Sequence, residues 1–379
     1  MKKYFVFISA ASLMATAGWI TSCKKTADPV YMLEPKQDVF AANYNYTGIT
    51  NLASKTGIVS INSQKAAIGR LLFYDNRLSI NGKVNCGTCH LQEKSFSDGK
   101  ALSSGVFNEK TKRNSMAIIN PDDPSSSIKS KLKFFWDGRA MDLNQLALAP
   151  AKNHVEMGLD NGANIEKSIR NVAYYQTSFA NVGLAITEGN ISACLSEFLR
   201  SMQGFSSRFD EGINQSGVSI ATIPTTVFPN FTAQENTGKY LFYVSYNCVN
   251  CHGITSKMPQ NTSSYNGDNR ALMMNIGLDA DGENTDETAK QFKAPSLRNI
   301  AVTAPYMHDG RFNSLEDVIN HYSKGIKKNK NLASEFLNGV TPKQFNIPDA
   351  DAAALVAFLN TLTDNSFLTD KRFSNPYLP

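Results

Sequence analysis

Apolar positions along this chain recur at helical spacing far more often than they alternate. In Ile191-Ser-Ala-Cys-Leu-Ser-Glu-Phe-Leu-Arg-Ser-Met202, the side chains of Leu195, Phe198, Leu199 and Met202 fall on one helical face. The run from Asp349 to Leu362 has the same character and predicts a C-terminal helix, with Asp349 as its cap, packed on the second half of the chain. Two shorter stretches repeat each other, Gly69-Arg-Leu-Leu-Phe-Tyr74 and Gly238-Lys-Tyr-Leu-Phe-Tyr243, and both predict helices. Thr232-Ala-Gln-Glu235 marks the start of the second as a capping box. Residues 214–230 are rich in Ser, Thr, Gly and Pro with no helical period, and read as a linker. The pattern predicts a mainly α chain of two modules related by duplication.

The N-terminus follows another pattern. Lys2 and Lys3 precede an apolar run from Tyr4 to Ile20, then small residues and Cys23, which is the layout of an export signal. The apolar run is short and broken by Ser, Thr and Gly, unlike a membrane span. Cysteine directly after small residues resembles a bacterial lipoprotein box. In that reading residues 1–22 are the signal, Cys23 carries lipid, and residues 23–44 tether the protein to the membrane of the periplasm or envelope. A cleaved signal with an incidental cysteine is the alternative.

Composition narrows the class. Over 379 residues, 42% hydrophobic and 19% charged content excludes a disordered or collagen-like chain. A net charge of only +5, without long Lys/Arg runs, argues against a nucleic-acid partner.

Cysteine usage supplies the chemistry. Four of the six cysteines lie in two copies of one motif, Cys86-Gly-Thr-Cys-His90 and Cys248-Val-Asn-Cys-His252. C-x-x-C-H is the attachment signature of c-type haem. Two thiols three positions apart on a nascent helical turn can each add to a haem vinyl group, and the following imidazole then lies under the iron as proximal ligand. Zinc ribbons keep their Cys pairs about fifteen to twenty residues apart, whereas these pairs occupy different halves of the chain. A thiol redox pair would not need the histidine. Cys194, on the apolar face of its helix, reads as a buried inert thiol.

Four further runs surround the two motifs in order: Leu72-Phe-Tyr-Asp-Asn-Arg-Leu-Ser79, Phe135-Trp-Asp-Gly-Arg-Ala140, Val155-Glu-Met-Gly158 and Ala304-Pro-Tyr-Met-His-Asp-Gly310. From about Ala66 to Leu362 the chain resembles the bacterial di-haem cytochrome c peroxidase family, which also contains the MauG enzyme. The resemblance implies two cytochrome c-like domains, a peroxidatic one over residues 45–213 and an electron-transfer one over residues 231–379. It implies hydrogen peroxide as substrate at the haem held by Cys86, Cys89 and His90. Electrons would come from a small redox protein or other donor through the haem held by Cys248, Cys251 and His252. Glu156 matches the distal acid, Trp136 the indole between the haems, and His308 a structural histidine near the second haem. A calcium ion would be held by the Asn114 side chain and the Thr303 and Pro305 carbonyls. The resemblance leaves a homodimer open.

Three positions depart from the family pattern. Val106 stands where many members carry a histidine that blocks the first haem until the second is reduced, so that haem is expected to be open to peroxide. Leu146, beside Gln145, stands where the family usually has glutamine. Tyr322 takes the place of the methionine ligand of the second haem, a MauG-like feature that favours oxidised iron. Adjacent His321, or neither residue, remains an alternative ligand. Two other functions stay open: a MauG-like oxidase of a protein or organic substrate, and a di-haem electron carrier without catalysis.

Overall fold

The computed structural model describes residues 34–35, 46, 61–121, 133–218, 221–252, 269–283 and 291–378. The expected signal 1–22, Cys23 and all of the 23–44 tether except Glu34 and Pro35 lie outside the described residues. No helix among the described residues is long and apolar enough to cross a membrane.

Helices joined by long irregular loops make up the described part of the first module. Helix α1 (Ser63–Phe73) starts where the Asn62 side chain accepts the Lys65 N–H at 3.0 Å. It is followed by the short α2 (Cys86–Cys89), α3 (Leu143–Lys152), α4 (Gly162–Ile169), α5 (Ala173–Asn181) and the long α6 (Glu188–Ser201). Helix α6 buries Cys194, Leu195, Phe198 and Leu199, the face expected from the periodicity. It crosses α1 so closely that a Cβ on Gly69 would sit 2.0 Å from the Cys194 carbonyl oxygen. Only glycine permits that approach, and forcing a methyl into a packed core costs about 1–3 kcal/mol or more. Beside the crossing, the rings of Phe73 and Phe198 meet edge to face, with centroids 5.4 Å apart.

The second module repeats this crossing. Helix α8 (Ala233–Tyr240) begins at the Thr232/Glu235 capping box and runs into a wider π-helical turn over Leu241–Ser245. It packs on α10 (Asp349–Asn360), where a Cβ on Gly238 would lie 1.8 Å from the Ala354 carbonyl oxygen. Phe242 and Phe358 meet at 5.3 Å. Thus Gly69 with Cys194 and Phe198 corresponds to Gly238 with Ala354 and Phe358, and the duplication extends to the last helix of each module. Two left-handed asparagines also correspond. Asn120 Oδ1 accepts the Gly204 N–H at 2.7 Å, and Asn299 Oδ1 accepts the Asp364 N–H at 2.6 Å.

Helix α7 (Arg208–Ser216) precedes α8, α9 (Leu315–Asn320) with a π-helical turn over His321–Gly325 lies between α8 and α10, and α11 (Asn365–Thr369) follows α10. Two small antiparallel ribbons complete the module: β1 (Asn269–Met274) with β2 (Phe292–Ala294), and β3 (Leu337–Asn338) with β4 (Thr341–Pro342).

Two expectations need correction. Helix α10 starts at Asp349 itself after Pro348, without a side-chain cap, so Asp349 and Asp351 act as first-turn charges at the positive helix end. The 214–230 segment is not a free linker: α7 extends to Ser216, and Phe209, Ile223 and Phe228 belong to the second core. The chain changes core between Met202 and Phe209, and Phe367, Phe373 and Tyr377 return to the first. Buried cations secure both excursions. Arg70 Nε donates to the Ser374 carbonyl at 2.8 Å, while Lys239, next to Gly238 as Arg70 is to Gly69, donates to the carbonyls of Ile223 and Thr226 at 2.6 and 2.7 Å.

Candidate haem and active site

Both C-x-x-C-H motifs open onto one cavity of about 910 Å³, lined from the first module by Cys86, Cys89 and His90 and from the second by Cys251 and His252. In the first motif, Thr88 Oγ1 accepts the Asn85 N–H at 3.1 Å and closes the single turn of α2, after which His90 leaves the helix. The four motif cysteines form no disulfide, and burial pushes the Cys86 and Cys248 thiols up to about 12.

The histidines show whether haem fits. His90 Nδ1 lies 2.5 Å from the Phe96 carbonyl oxygen, and His252 Nδ1 lies 3.0 Å from that of Pro295. A carbonyl only accepts, so Nδ1 carries the proton in both rings and Nε2 keeps its lone pair for a metal. Burial lowers the His90 pKa and holds the ring neutral. Two thiols free of disulfides and an oriented imidazole in each module fit two c-type haems.

Beside the first module's part of the cavity wall, the Val106 N–H donates to the Val155 and Glu156 carbonyls at 2.9 and 3.1 Å. A Cβ on Gly105 would lie 1.8 Å from the Val155 oxygen, so glycine lets the two loops close. The half-buried Glu156 lines the cavity, and burial raises its pKa against the opposing charge of Arg139. Leu146 also lines the cavity, whereas Gln145 turns away to accept the Met141 N–H at 3.0 Å. His154 is exposed, 3.8 Å from Asp160. Among the described residues, the imidazoles lining the cavity are His90, His252 and His308.

Trp136 lies between the modules. Its Nε1 donates to the Asn114 carbonyl at 2.9 Å, and its own carbonyl accepts the Lys293 N–H at 2.8 Å. The Asn114 N–H donates to the His308 carbonyl at 2.7 Å, and the His308 ring stacks on Phe292 at 3.9 Å. Asn114 Nδ2 donates to the Lys100 carbonyl at 2.8 Å, which leaves Oδ1 as the end suited to a cation. Asn114, Thr303 and Pro305 all line the shared cavity.

Tyr322, on its π-helical turn, opens into the second module's part of the cavity and stacks on Phe336 at 5.9 Å. Burial raises its phenol pKa. Adjacent His321 is turned away, with Nε2 3.0 Å from the Ile276 carbonyl oxygen, and burial lowers it to about 4. Sequence reasoning missed Met274, whose sulfur is 3.6 Å from Cys251 Sγ, and Arg113, which pairs with Asp137 at 2.6 Å. No local signal marks the first. For the second, the signal was its partner Asp137, which adjoins Trp136 in the Trp-Asp-Gly-Arg run.

Fold and site together define a two-haem c-type oxidoreductase. The family profile described as di-haem cytochrome c peroxidase matches residues 63–217, and that of cytochrome c matches residues 236–363. The chain is 30% identical to the methylamine utilization protein MauG of Paracoccus denitrificans (strain Pd 1222), over 80% of this chain and 89% of that protein. It is 27% identical to the cytochrome c551 peroxidase of Nitrosomonas europaea (strain ATCC 19718 / CIP 103999 / KCTC 2705 / NBRC 14298), over 84% of each. The crystal structure of a MauG-like protein associated with microbial copper homeostasis superposes with a TM-score of 0.66 at 30% identity, covering 84% of this chain and 95% of that one. The chain belongs to the di-haem cytochrome c peroxidase (MauG) family.

Proposed function

We propose that this protein reduces hydrogen peroxide by two electrons in the space above His90, with electrons entering through the second module from a small redox protein or another external donor. The observation that carries the reading is Glu156, half-buried on the cavity that also receives Cys86, Cys89 and His90, while valine stands at 106 where the family resemblance implies a blocking histidine. The haems, when bound, supply the redox metal and hold the oxidising equivalents. Glu156 takes a proton from one peroxide oxygen and returns it to the other, so that the O–O bond breaks with water as leaving group. A second water forms as two electrons and two protons arrive. Its raised pKa lets the carboxyl group hold that proton closer to neutral pH than an exposed glutamate would. Trp136, held to both modules through Asn114 and Lys293, relays electrons between the haems.

In this reading Tyr322 would be the side chain that holds the second haem's iron together with His252, giving up the proton that burial otherwise keeps on the phenol. The Asn114 side chain and the Thr303 and Pro305 carbonyls hold calcium between the modules. Export by residues 1–22 and a lipid on Cys23 place the enzyme at the cell envelope. Val106 and Tyr322 favour a second reading, a MauG-like oxidase in which both oxidising equivalents are held for an organic or protein substrate.

The Glu156→Gln variant tests the proton step. Peroxide turnover falls by about 10²–10⁴-fold, with both haem spectra unchanged. Unchanged turnover would remove Glu156 from the mechanism.

A further inference from the structure

At the C-terminal end of α1, away from the shared cavity, the Asp75 carboxylate is buried under three phenols. Tyr174 and Tyr175 donate to Asp75 Oδ2 at 3.1 and 2.9 Å, and the Tyr377 hydroxyl lies 3.4 Å from the same oxygen. The hydroxyls also meet one another, Tyr174 with Tyr377 at 3.0 Å and Tyr175 with Tyr377 at 3.4 Å. Asp75 Oδ1 accepts the Arg77 backbone N–H at 2.8 Å, and Arg77 Nη1 reaches both Asp75 Oδ2, at 2.9 Å, and the Tyr174 hydroxyl, at 3.0 Å. Asp75, Tyr175 and Tyr377 are buried, whereas Tyr174 is half-buried and lies nearest solvent.

Aromatic contacts run from the first motif to Tyr74, and the backbone joins Tyr74 to Asp75 of the cluster. The Phe73 ring lies 6.4 Å from that of His90 and 5.0 Å from that of Tyr74. Tyr74 packs against Gly87, between the motif cysteines, closely enough that a Cβ there would lie 2.5 Å from its ring. Tyr74 immediately precedes Asp75, and the Tyr174 and Tyr175 rings are 4.5 Å apart.

Burial raises the pKa of all three phenols, so they remain protonated at neutral pH. Electron loss from such a phenol needs a partner to take its proton, because the protonated radical cation is a strong acid. A carboxylate already accepting the O–H bond is that partner.

We propose that Tyr174, Tyr175 and Tyr377 with Asp75 form a redox-active tyrosine cluster that carries an oxidising equivalent of peroxide from the first haem to the protein surface. In the step, the O–H bond of Tyr174 or Tyr175 breaks and the proton moves to Asp75 Oδ2. The electron leaves along Tyr74 and Phe73 to the peroxide-oxidised first haem, which is reduced by one electron. A neutral phenoxyl radical remains on the adjacent Tyr174–Tyr175 pair, whose rings are tilted by 44°. An external one-electron donor at Tyr174 restores the phenol, with the proton returned from Asp75. The step rests on the peroxidase reading, because peroxide is the oxidant.

The test is electron paramagnetic resonance of the holoenzyme frozen after one equivalent of peroxide, prepared with ordinary tyrosine and with 3,5-ring-deuterated tyrosine. The cluster predicts an organic radical whose hyperfine splitting collapses on deuteration. The signal falls at least tenfold in the Tyr174→Phe/Tyr175→Phe double variant, and clearly in each single variant should the double not fold. Tyr246→Phe, which removes the hydroxyl bonded to Asp351 in the second module, leaves it unchanged. Tyrosines that only pin the C-terminal tail would lower thermal stability in these variants and leave the radical intact. A spectrum insensitive to deuteration, or a radical undiminished in the variants, overturns the proposal while the peroxidase reading stands. Ferric signals untouched by peroxide overturn both.

Discussion

Trp136 donates its indole N–H to the Asn114 backbone carbonyl at 2.9 Å, and through Asn114 it is tied to His308 of the other module. This one bond fixes the sole tryptophan downstream of the expected signal in the wall of a cavity that both haem motifs share. Trp136→Phe keeps an aromatic ring but loses the N–H and the larger, more easily oxidised π-system. Electron transfer from the reduced second haem to the peroxide-oxidised first haem is expected to slow at least tenfold, with the ferric spectra preserved. Stopped-flow spectroscopy measures it directly, and an unchanged rate would make the indole a packing residue only.

The raised pKa of Glu156 sets the pH profile. As proton acceptor from peroxide it must be ionised, so the bimolecular rate with peroxide falls as pH drops through its pKa. That fall is expected above the ordinary carboxylate range, because burial disfavours the charged form. Removing Arg139, whose charge acts in the opposite direction, moves the acid limb further up. A limb at the value of an exposed glutamate, unmoved in Arg139→Gln, would contradict this assignment.

Tyr322 opens into the second module's part of the cavity while His321 is bonded away to Ile276. Replacing the phenolate with a thioether favours the ferrous state. In Tyr322→Met the second haem is expected to become reducible at clearly higher potential, while His321→Gln leaves the potential in place. Spectroelectrochemical titration separates the two, and the opposite ranking would make His321 the ligand.

The haem motifs, the helices α1, α6, α8 and α10 and the duplication were all legible in the sequence, because each is coded within a few residues: a C-x-x-C-H run, a 3.6-residue period, a capping box. Features that depend on distant partners were not. Ile223 and Phe228 belong to the second core, although the low-periodicity stretch 214–230 around them reads as a linker. Phe373 and Tyr377 return to the first core from the far end of the chain. The glycines of the repeat were visible at 69 and 238, but their partners Cys194 and Ala354 emerge only from the helix crossings. Asp349 resembled a cap because a cap and a first-turn carboxylate draw on the same residue types, and Pro348 decides between them. The family resemblance selected Glu156, Trp136 and Tyr322, and all three line the shared cavity. Met274 beside Cys251 lay beyond both kinds of reading.

The central claim is that the first haem is open to peroxide without prior reduction, because the Val106 loop is bonded to Val155 and Glu156 and carries no imidazole. Electron paramagnetic resonance of the all-ferric protein, before and after one equivalent of hydrogen peroxide and with no reductant present, tests it most directly. A high-spin ferric signal that disappears on adding peroxide is the predicted result. Two low-spin haems indifferent to peroxide would contradict the account.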